Sequence, residues 1–426
     1  MDLEVLPAPA LRARLKVPGD KALSHRASIL LALSRKGGRI RGFSSAADAL
    51  STVGVLEALG AAVAREGGEV VLSGGGRESL RAPAGALDCG NSGSTLRMLA
   101  GVLAACPFEV TLTGDPSLRR RPMERMAVPL RAMGADISCE EGGRPPLTVK
   151  GGRLKGISWK SPVPSAQVKT AVLLAGLSAE GRTSVEETLP TRDHTERMLR
   201  FLGVEVGVAD GTVSVQGGAS WEGADLDIPG DPSSAAFLLC AAAGRPGSRI
   251  LAEGVCLNPG RLGFLEVLRR MGACVRVRPM GTAGGEEVGD LEVEGGDLKG
   301  TCILPAEVPA LIDELPALAV AACQARGETR VTGAGELRVK ESDRIDTLVT
   351  GLRALGARIE GTADGFLVEG PARLRGAVVG SAGDHRIAMA LAMAGTMAEG
   401  RTVVRGAECI GISFPEFSRI LEGASR

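Results

Sequence analysis

Apolar residues recur along this chain at helical spacing in one phrase, L-x-x-[LM]-G-[AV]. It appears as LEALGA, LRAMGA, LRFLGV, LRRMGA and LRALGA, with its glycine at Gly60, Gly134, Gly203, Gly272 and Gly356. Each phrase closes a helix that is charged on one face and apolar on the other, with the glycine where a left-handed C-cap belongs. An alternating stretch follows, as in VEVGVADGTVSVQGG, residues 204–218, and its period of two predicts a pair of strands about a tight turn. The glycines are 74, 69, 69 and 84 residues apart, so the spacing predicts a repeated unit of about 70 residues.

Roughly 40 residues before each phrase stands a second recurrent element, a small-residue turn leading into an Ala/Leu-rich helix. The turns are GDKALSHR at Gly19, GNSGSTLR at Gly90, PSAQVKTA at Pro164, GDPSSAAF at Gly230, LIDELPAL at Leu311 and GDHRIAMA at Gly383. The sixth has its second helix in FPEFSRILEG. Past their first turn these helices have no polar face, as in AVLLAGL and AMALAMAG, which predicts burial on all sides. A chain of 426 residues is too long for one ordinary core. Two α/β lobes of three copies each, helices inside and sheets around them, follow from the pattern.

Composition narrows the function classes. Lys+Arg and Asp+Glu number 50 each, so the net charge is zero and a generic nucleic-acid surface, which needs a basic excess, is disfavoured. The nine cysteines stand singly with no C-x-x-C pair, and there are three histidines. Neither a zinc site nor a disulfide framework is expected, and reduced cytosolic thiols are. The opening MDLEVLPAPALRARLKV has early acids and no apolar core of a signal peptide, and the apolar runs fall short of a membrane span. The expectation is a cytoplasmic, monomeric enzyme with no metal, acting on small molecules away from membranes. The absence of Tyr, with two Asn and three Gln, fits either a hot habitat or a GC-rich genome.

Polar residues gather where the buried helices begin. Helix N-termini offer unpaired N–H groups and partial positive charge. Around them are Lys21, Arg26, Arg97, the run Arg119, Arg120, Arg121 and Arg125, then Lys169, Arg192, Lys340, Arg344 and Arg386. On an uncharged chain this points to a small polyanion. Each turn taken alone also reads as ordinary capping, and the arginine run as a solvated face. Repetition favours the anion site, because capping does not require Lys21, Arg26, Gln167 and Arg386 at the starts of apolar helices. His25 and His194 read as structural.

The segments PGDKALSHRA, GNSGSTLR, LRRRPM, PSAQVKTA, TRDHTERML, LIDELP, RVKESDRI, GDHRIAMA and SFPEF occur in the order found in the 5-enolpyruvylshikimate-3-phosphate synthases (3-phosphoshikimate 1-carboxyvinyltransferases) of the enolpyruvyl transferase family. The chain resembles that family from about Pro18 to Phe417, and SAQVK and TRDHTE are similar to the branch distinct from the enterobacterial and plant enzymes. The resemblance implies a two-lobed inside-out α/β barrel of six βαβαββ repeats, three per lobe. One lobe, on the shikimate 3-phosphate side, would span residues 18–228; the other would combine 1–17 with 229–426. It implies a cleft that closes on shikimate 3-phosphate.

The implied reaction moves the enolpyruvyl group of phosphoenolpyruvate to the 5-hydroxyl of shikimate 3-phosphate and releases phosphate, on the route to chorismate and the aromatic amino acids, with no cofactor. Carried over by motif, Lys21, Asp313 and Glu341 would move protons. Lys21, Ala22, Arg26, Ser165, Ala166, Gln167, Arg192, Asp313 and Lys340 would hold shikimate 3-phosphate. Lys21, Asn91, Gly93, Arg121, Gln167, Arg344 and Arg386 would hold phosphoenolpyruvate, and Gly93 implies sensitivity to its analogue glyphosate. The chain departs from the resemblance at Ala22, where Ser is usual and Ser24 would partly substitute, at Ser94, where Thr is common, at Ile412, where some members carry Lys, and at Glu336, which replaces the Asn of the other branch. The rivals are the sister enzyme acting on UDP-N-acetylglucosamine, which has Lys-Asn at the place of Lys21-Ala22, and a non-catalytic polyanion-binding scaffold.

Overall fold

The computed structural model describes residues 1–425. The chain folds as two compact units. One comprises Gly19–Ile228 with Thr282–Glu286; the other comprises Met1–Pro18, Pro229–Gly281 and the chain from Glu287 onward.

The unit that begins at Gly19 contains helices α1 (Lys21–Ala32), α2 (Ala47–Ala58), α3 (Gly93–Leu103), α4 (Glu124–Ala132), α5 (Ala166–Gly176) and α6 (His194–Phe201). Its strands form three separate four-stranded sheets. In the second, Leu87–Asp88 runs parallel to Glu109–Thr113, which pairs antiparallel with Arg144–Lys150, itself antiparallel to Asp136–Glu140. The third sheet repeats this order with Ser158–Lys160, Arg182–Glu186, Thr212–Gln216 and Val206–Ala209. The first takes its parallel edge strand from Leu226–Asp227, at the far end of the unit, beside Gly37–Arg41.

The other unit holds α7 (Pro232–Ala243), α8 (Gly263–Met271), α9 (Leu315–Ala322), α10 (Arg344–Ala354), α11 (His385–Met397) and α12 (Phe417–Ala424). Two of its sheets follow the same plan. The third does not. The sixth copy contributes only Val378–Gly380 and Thr402–Arg405, and Leu3–Val5 completes the sheet in the antiparallel sense. The N-terminal segment therefore supplies two strands, since Arg12–Leu15 runs parallel to Arg249–Cys256 in another sheet. Where the sequence implies six full βαβαββ copies, the sixth lacks its hairpin and a strand from the other end of the chain satisfies the exposed sheet edge. The sheets are separate and open rather than one closed barrel.

The recurrent glycine does what its position requires. Gly60, Gly134, Gly203, Gly272 and Gly356 have φ of 91, 109, 82, 104 and 89°. At each the chain closes the helix with the paired bonds of a Schellman motif. At Gly60 its own N–H reaches Glu57 O at 2.9 Å and Ala61 N–H reaches Leu56 O at 2.9 Å, and the other four copies repeat this.

The Ala/Leu helices are interior. All twelve residues of α7 and all eight of α9 are buried. Their small side chains let backbones approach. A Cβ on Gly101 of α3 would stand 2.2 Å from Ala171 O of α5, so only glycine allows that contact. No helix among the described residues is long and apolar enough to cross a membrane.

Candidate functional site

The six inner helices begin in two ways. Asp20, Ser92, Ser165, Asp231 and Asp384 cap α1, α3, α5, α7 and α11, each accepting a hydrogen bond from a backbone N–H of the first turn. Helix α9 starts at Glu314 without a side-chain cap. Capping thus accounts for one polar residue per turn and leaves the basic ones and Gln167 to be explained.

In the unit beginning at Gly19, those residues join the inner helices at their N-terminal ends. Lys21 opens α1 and its Nζ is 2.7 Å from Asp48 Oδ2 on α2. Arg26, one turn on, donates through Nη1 to the Ala22 carbonyl at 2.9 Å and through Nη2 to Thr170 Oγ1 on α5 at 3.0 Å. Asn91 precedes α3; its Nδ2 donates to Asp115 at 2.7 Å and its Oδ1 accepts from Arg121 Nη2 at 2.6 Å. Gly93 is the first residue of α3. Gln167, in the first turn of α5, has its amide fixed at both ends, Oε1 accepting from Arg97 Nη1 at 2.7 Å and Nε2 donating to Ser94 Oγ at 2.8 Å. Ser165 and Ala166 start the same helix, and Arg192 lies half-buried in the loop before α6.

The other unit gathers carboxylates around one guanidinium. Arg344, the first residue of α10, is 1% exposed in its side chain. Its Nε donates to Asp384 Oδ2 at 2.8 Å, its Nη2 to Glu341 Oε2 at 2.5 Å and its Nη1 to Asp313 Oδ1 at 3.4 Å. Burial disfavours the Arg344 charge, but Asp384, Glu341 and Asp313 outweigh it and hold the pKa above the usual arginine value. Arg386 Nη1 donates to the Asp313 carbonyl at 2.8 Å. Lys340 keeps part of its surface in solvent, yet its ammonium is desolvated and its pKa is pushed below the ordinary lysine value, against the pull of Asp313. Asp313, Glu341 and Asp384, with Glu314 Oε1 4.0 Å from Arg386 Nη1, thus lie together with Arg344, Arg386 and Lys340.

Several placements correct the sequence reading. The arginine run divides: Arg119 and Arg120 are exposed, Arg125 is half-buried and Arg121 is buried. Ser24 cannot stand in for the missing hydroxyl at Ala22, because it is fully buried, donating to the Asp20 carbonyl at 2.9 Å and accepting from Ser44 N–H at 3.0 Å. Ile412 packs against the apolar core, an environment that would penalise a lysine. Four partners escaped the sequence: Asp48 on Lys21, Asp115 on Asn91, and Thr170 and Thr195 on Arg26. Nothing local pairs them with these groups: Thr195 stands inside the segment TRDHTERML, but its partner Arg26 lies far away along the chain, as do the partners of the other three. Arg97 was visible as a first-turn cation, but its hold on Gln167 was not.

The family described as EPSP synthase (3-phosphoshikimate 1-carboxyvinyltransferase) matches residues 6–421. A 3-phosphoshikimate 1-carboxyvinyltransferase of Desulforamulus reducens is 47% identical over 426 residues, covering 99% of each chain. One of Bacillus thuringiensis subsp. konkukian is 47% identical over 413 residues, covering 97% of this chain and 96% of its own. An EPSP synthase structure from Acinetobacter baumannii superposes with a TM-score of 0.87 at 43% identity, covering 99% of this chain and 98% of that one. With a match of that extent and the family's motif residues gathered at the helix starts of both units, the chain belongs to the EPSP synthase (3-phosphoshikimate 1-carboxyvinyltransferase) family.

Proposed function

We propose that this enzyme transfers the enolpyruvyl group of phosphoenolpyruvate to the 5-hydroxyl of shikimate 3-phosphate and releases inorganic phosphate. The observation that carries the reading is Arg344, whose one guanidinium touches both Asp313 and Glu341. An anion-binding group and two carboxylates able to move protons are therefore within one hydrogen-bonded cluster.

In the addition step the 5-hydroxyl oxygen bonds to C2 of phosphoenolpyruvate, loses its proton, and C3 takes a proton to become a methyl group. In the elimination step C3 loses a proton, the C2–O bond to phosphate breaks, and the C2–C3 double bond returns. Asp313 takes the hydroxyl proton, while Lys21 and Glu341 exchange the proton at C3. Arg121, Arg344 and Arg386 hold phosphoenolpyruvate through paired N–H groups matched to carboxylate and phosphate, with Asn91, Gly93 and Gln167 beside them. Arg26, Ser165, Ala166, Gln167, Arg192 and Lys340 hold shikimate 3-phosphate, with Ala22 at its edge. The same reading makes the protein a cytoplasmic monomer that closes on shikimate 3-phosphate and takes no nucleic acid.

Phosphate release from phosphoenolpyruvate tests this. Release is expected with shikimate 3-phosphate and absent with UDP-N-acetylglucosamine. Release with the UDP-sugar alone, or with neither acceptor, would overturn the assignment.

A further inference from the structure

The motif TRDHTERM contributes only Arg192 to the reading above, yet the three residues that open α6 are more deeply buried than Arg192. His194 Nδ1 lies 2.6 Å from Glu286 Oε1, and Glu196 Oε1 lies 2.7 Å from Lys169 Nζ. These buried contacts anchor the first turn of α6. Between them, Thr195 is 1% exposed and turns its hydroxyl to Arg26.

The contact is two-sided. Arg26 Nε donates to Thr195 Oγ1 at 2.7 Å, Arg26 Nη2 donates to Thr170 Oγ1 at 3.0 Å, and the two threonine oxygens are 2.7 Å apart. One hydroxyl proton bridges the pair, and each oxygen keeps a lone pair for the guanidinium. Two acceptors, side by side, thus face Nε–H and Nη2–H in the pattern a carboxylate normally presents to arginine. A carboxylate there would also cancel the charge. The hydroxyl pair orients without cancelling.

We propose that Thr195 and Thr170 form an uncharged fork that fixes the plane of Arg26 toward an anionic substrate without setting a negative charge of their own beside it. They are positioning residues for shikimate 3-phosphate, and the inference rests on Arg26 as one of its ligands. Neither touches the substrate. Their effect passes through one guanidinium, so it is selective for one of the two substrates.

Steady-state kinetics on four variants decide the matter. Thr195→Val keeps the shape and removes the hydroxyl. It is expected to raise the KM for shikimate 3-phosphate about tenfold, the size of one hydrogen bond to a charged group, with kcat and the KM for phosphoenolpyruvate within about twofold. Thr195→Ser, which restores the hydroxyl, is expected to return that KM close to the parent value. Thr170→Val tests the fork from α5, where a failure of Thr195→Val to fold has no bearing, and should show the same selective rise. Arg26→Ala, measured alongside, reports on the parent assignment: no change in its shikimate 3-phosphate KM means that Arg26 is not a ligand, and the fork loses its purpose with it. If Arg26→Ala raises that KM but Thr195→Val and Thr170→Val do not, the fork alone is wrong. A serine variant as poor as the valine, or equal rises in both KM values, also overturns it, since packing rather than the hydroxyl would then be responsible.

Discussion

A methyl group on Gly93 would stand 2.7 Å from Nη1 of Arg97 and 3.3 Å from Nη1 of Arg121. Arg97 is the group that fixes the Gln167 amide, so the empty space at Gly93 is what lets three side chains hold their places. The obstacle is the far end of a flexible side chain, and Gly93→Ala should fold with little change in melting temperature. Displacing the guanidinium should raise the KM for phosphoenolpyruvate roughly tenfold and weaken glyphosate inhibition in parallel. Unchanged inhibition constants would show that Arg97 does not transmit the methyl.

Ala22 is half-exposed at the first turn of α1, and the Ser24 hydroxyl, engaged by Asp20 and Ser44, does not replace the one it lacks. Ala22→Ser is expected to lower the KM for shikimate 3-phosphate about fivefold, the value of one ordinary hydrogen bond, and to leave phosphoenolpyruvate alone. A KM that stays put would show that the serine hydroxyl finds its partner within the protein.

His25 is fully buried, with Nδ1 2.7 Å from Thr52 Oγ1 and Nε2 without a hydrogen-bond partner. Burial, reinforced by Lys21 and Arg26, pushes its pKa well below 6.5. The unfolded chain therefore binds a proton near pH 6.5 that the folded protein refuses, and stability falls as pH drops below that value. The loss is at most about 1.4 kcal/mol per pH unit. His25→Asn should flatten the denaturation midpoint between about pH 6.5 and 4.5 relative to the parent; parallel curves would remove His25 as the cause.

Lys340 titrates below the lysine value of 10.5 because its ammonium is desolvated. Shikimate 3-phosphate affinity should then weaken as pH rises through that lowered pKa, because the neutral amine no longer attracts the phosphate. The folding penalty of holding the charge is present below the lowered pKa and is relieved as pH approaches 10.5. Lys340→Arg, which stays charged throughout, should move the alkaline loss of binding upward. Calorimetric titrations at several pH values would read this directly.

Gly203 and Gly423 both have open space where a Cβ would go, but only Gly203 is left-handed, at φ +82°. Gly203→Ala should destabilise by about 1 kcal/mol through backbone strain, whereas Gly423→Ala, inside α12, should stabilise by about as much. Equal shifts in urea midpoint would contradict the left-handed cap as the purpose of the recurrent glycine.

Local chemistry made much of this legible. The Schellman glycines, the apolar inner helices and the five capped helix starts are set by residues a few positions apart, so their spacing reads directly along the chain. That residues 1–17 go with 229–426 was implied by the resemblance, but which sheets Leu3–Val5, Arg12–Leu15 and Leu226–Asp227 complete did not read, because a strand of two to four residues carries no period and its place is decided by which sheet edge lacks a partner.

The site divides along the same line. By itself the sequence determined the repeats, the helix starts and the basic and acidic residues at them, since each depends on composition and short-range spacing. Only the tertiary structure decided that Arg121 is buried while Arg119 and Arg120 face solvent, that Asp384 grips Arg344 from another helix, and that Thr170 and Thr195 meet on Arg26. Thr195 lies 169 positions from Arg26. A hydrogen bond ends within a few ångströms, and packing alone brings such distant residues that close.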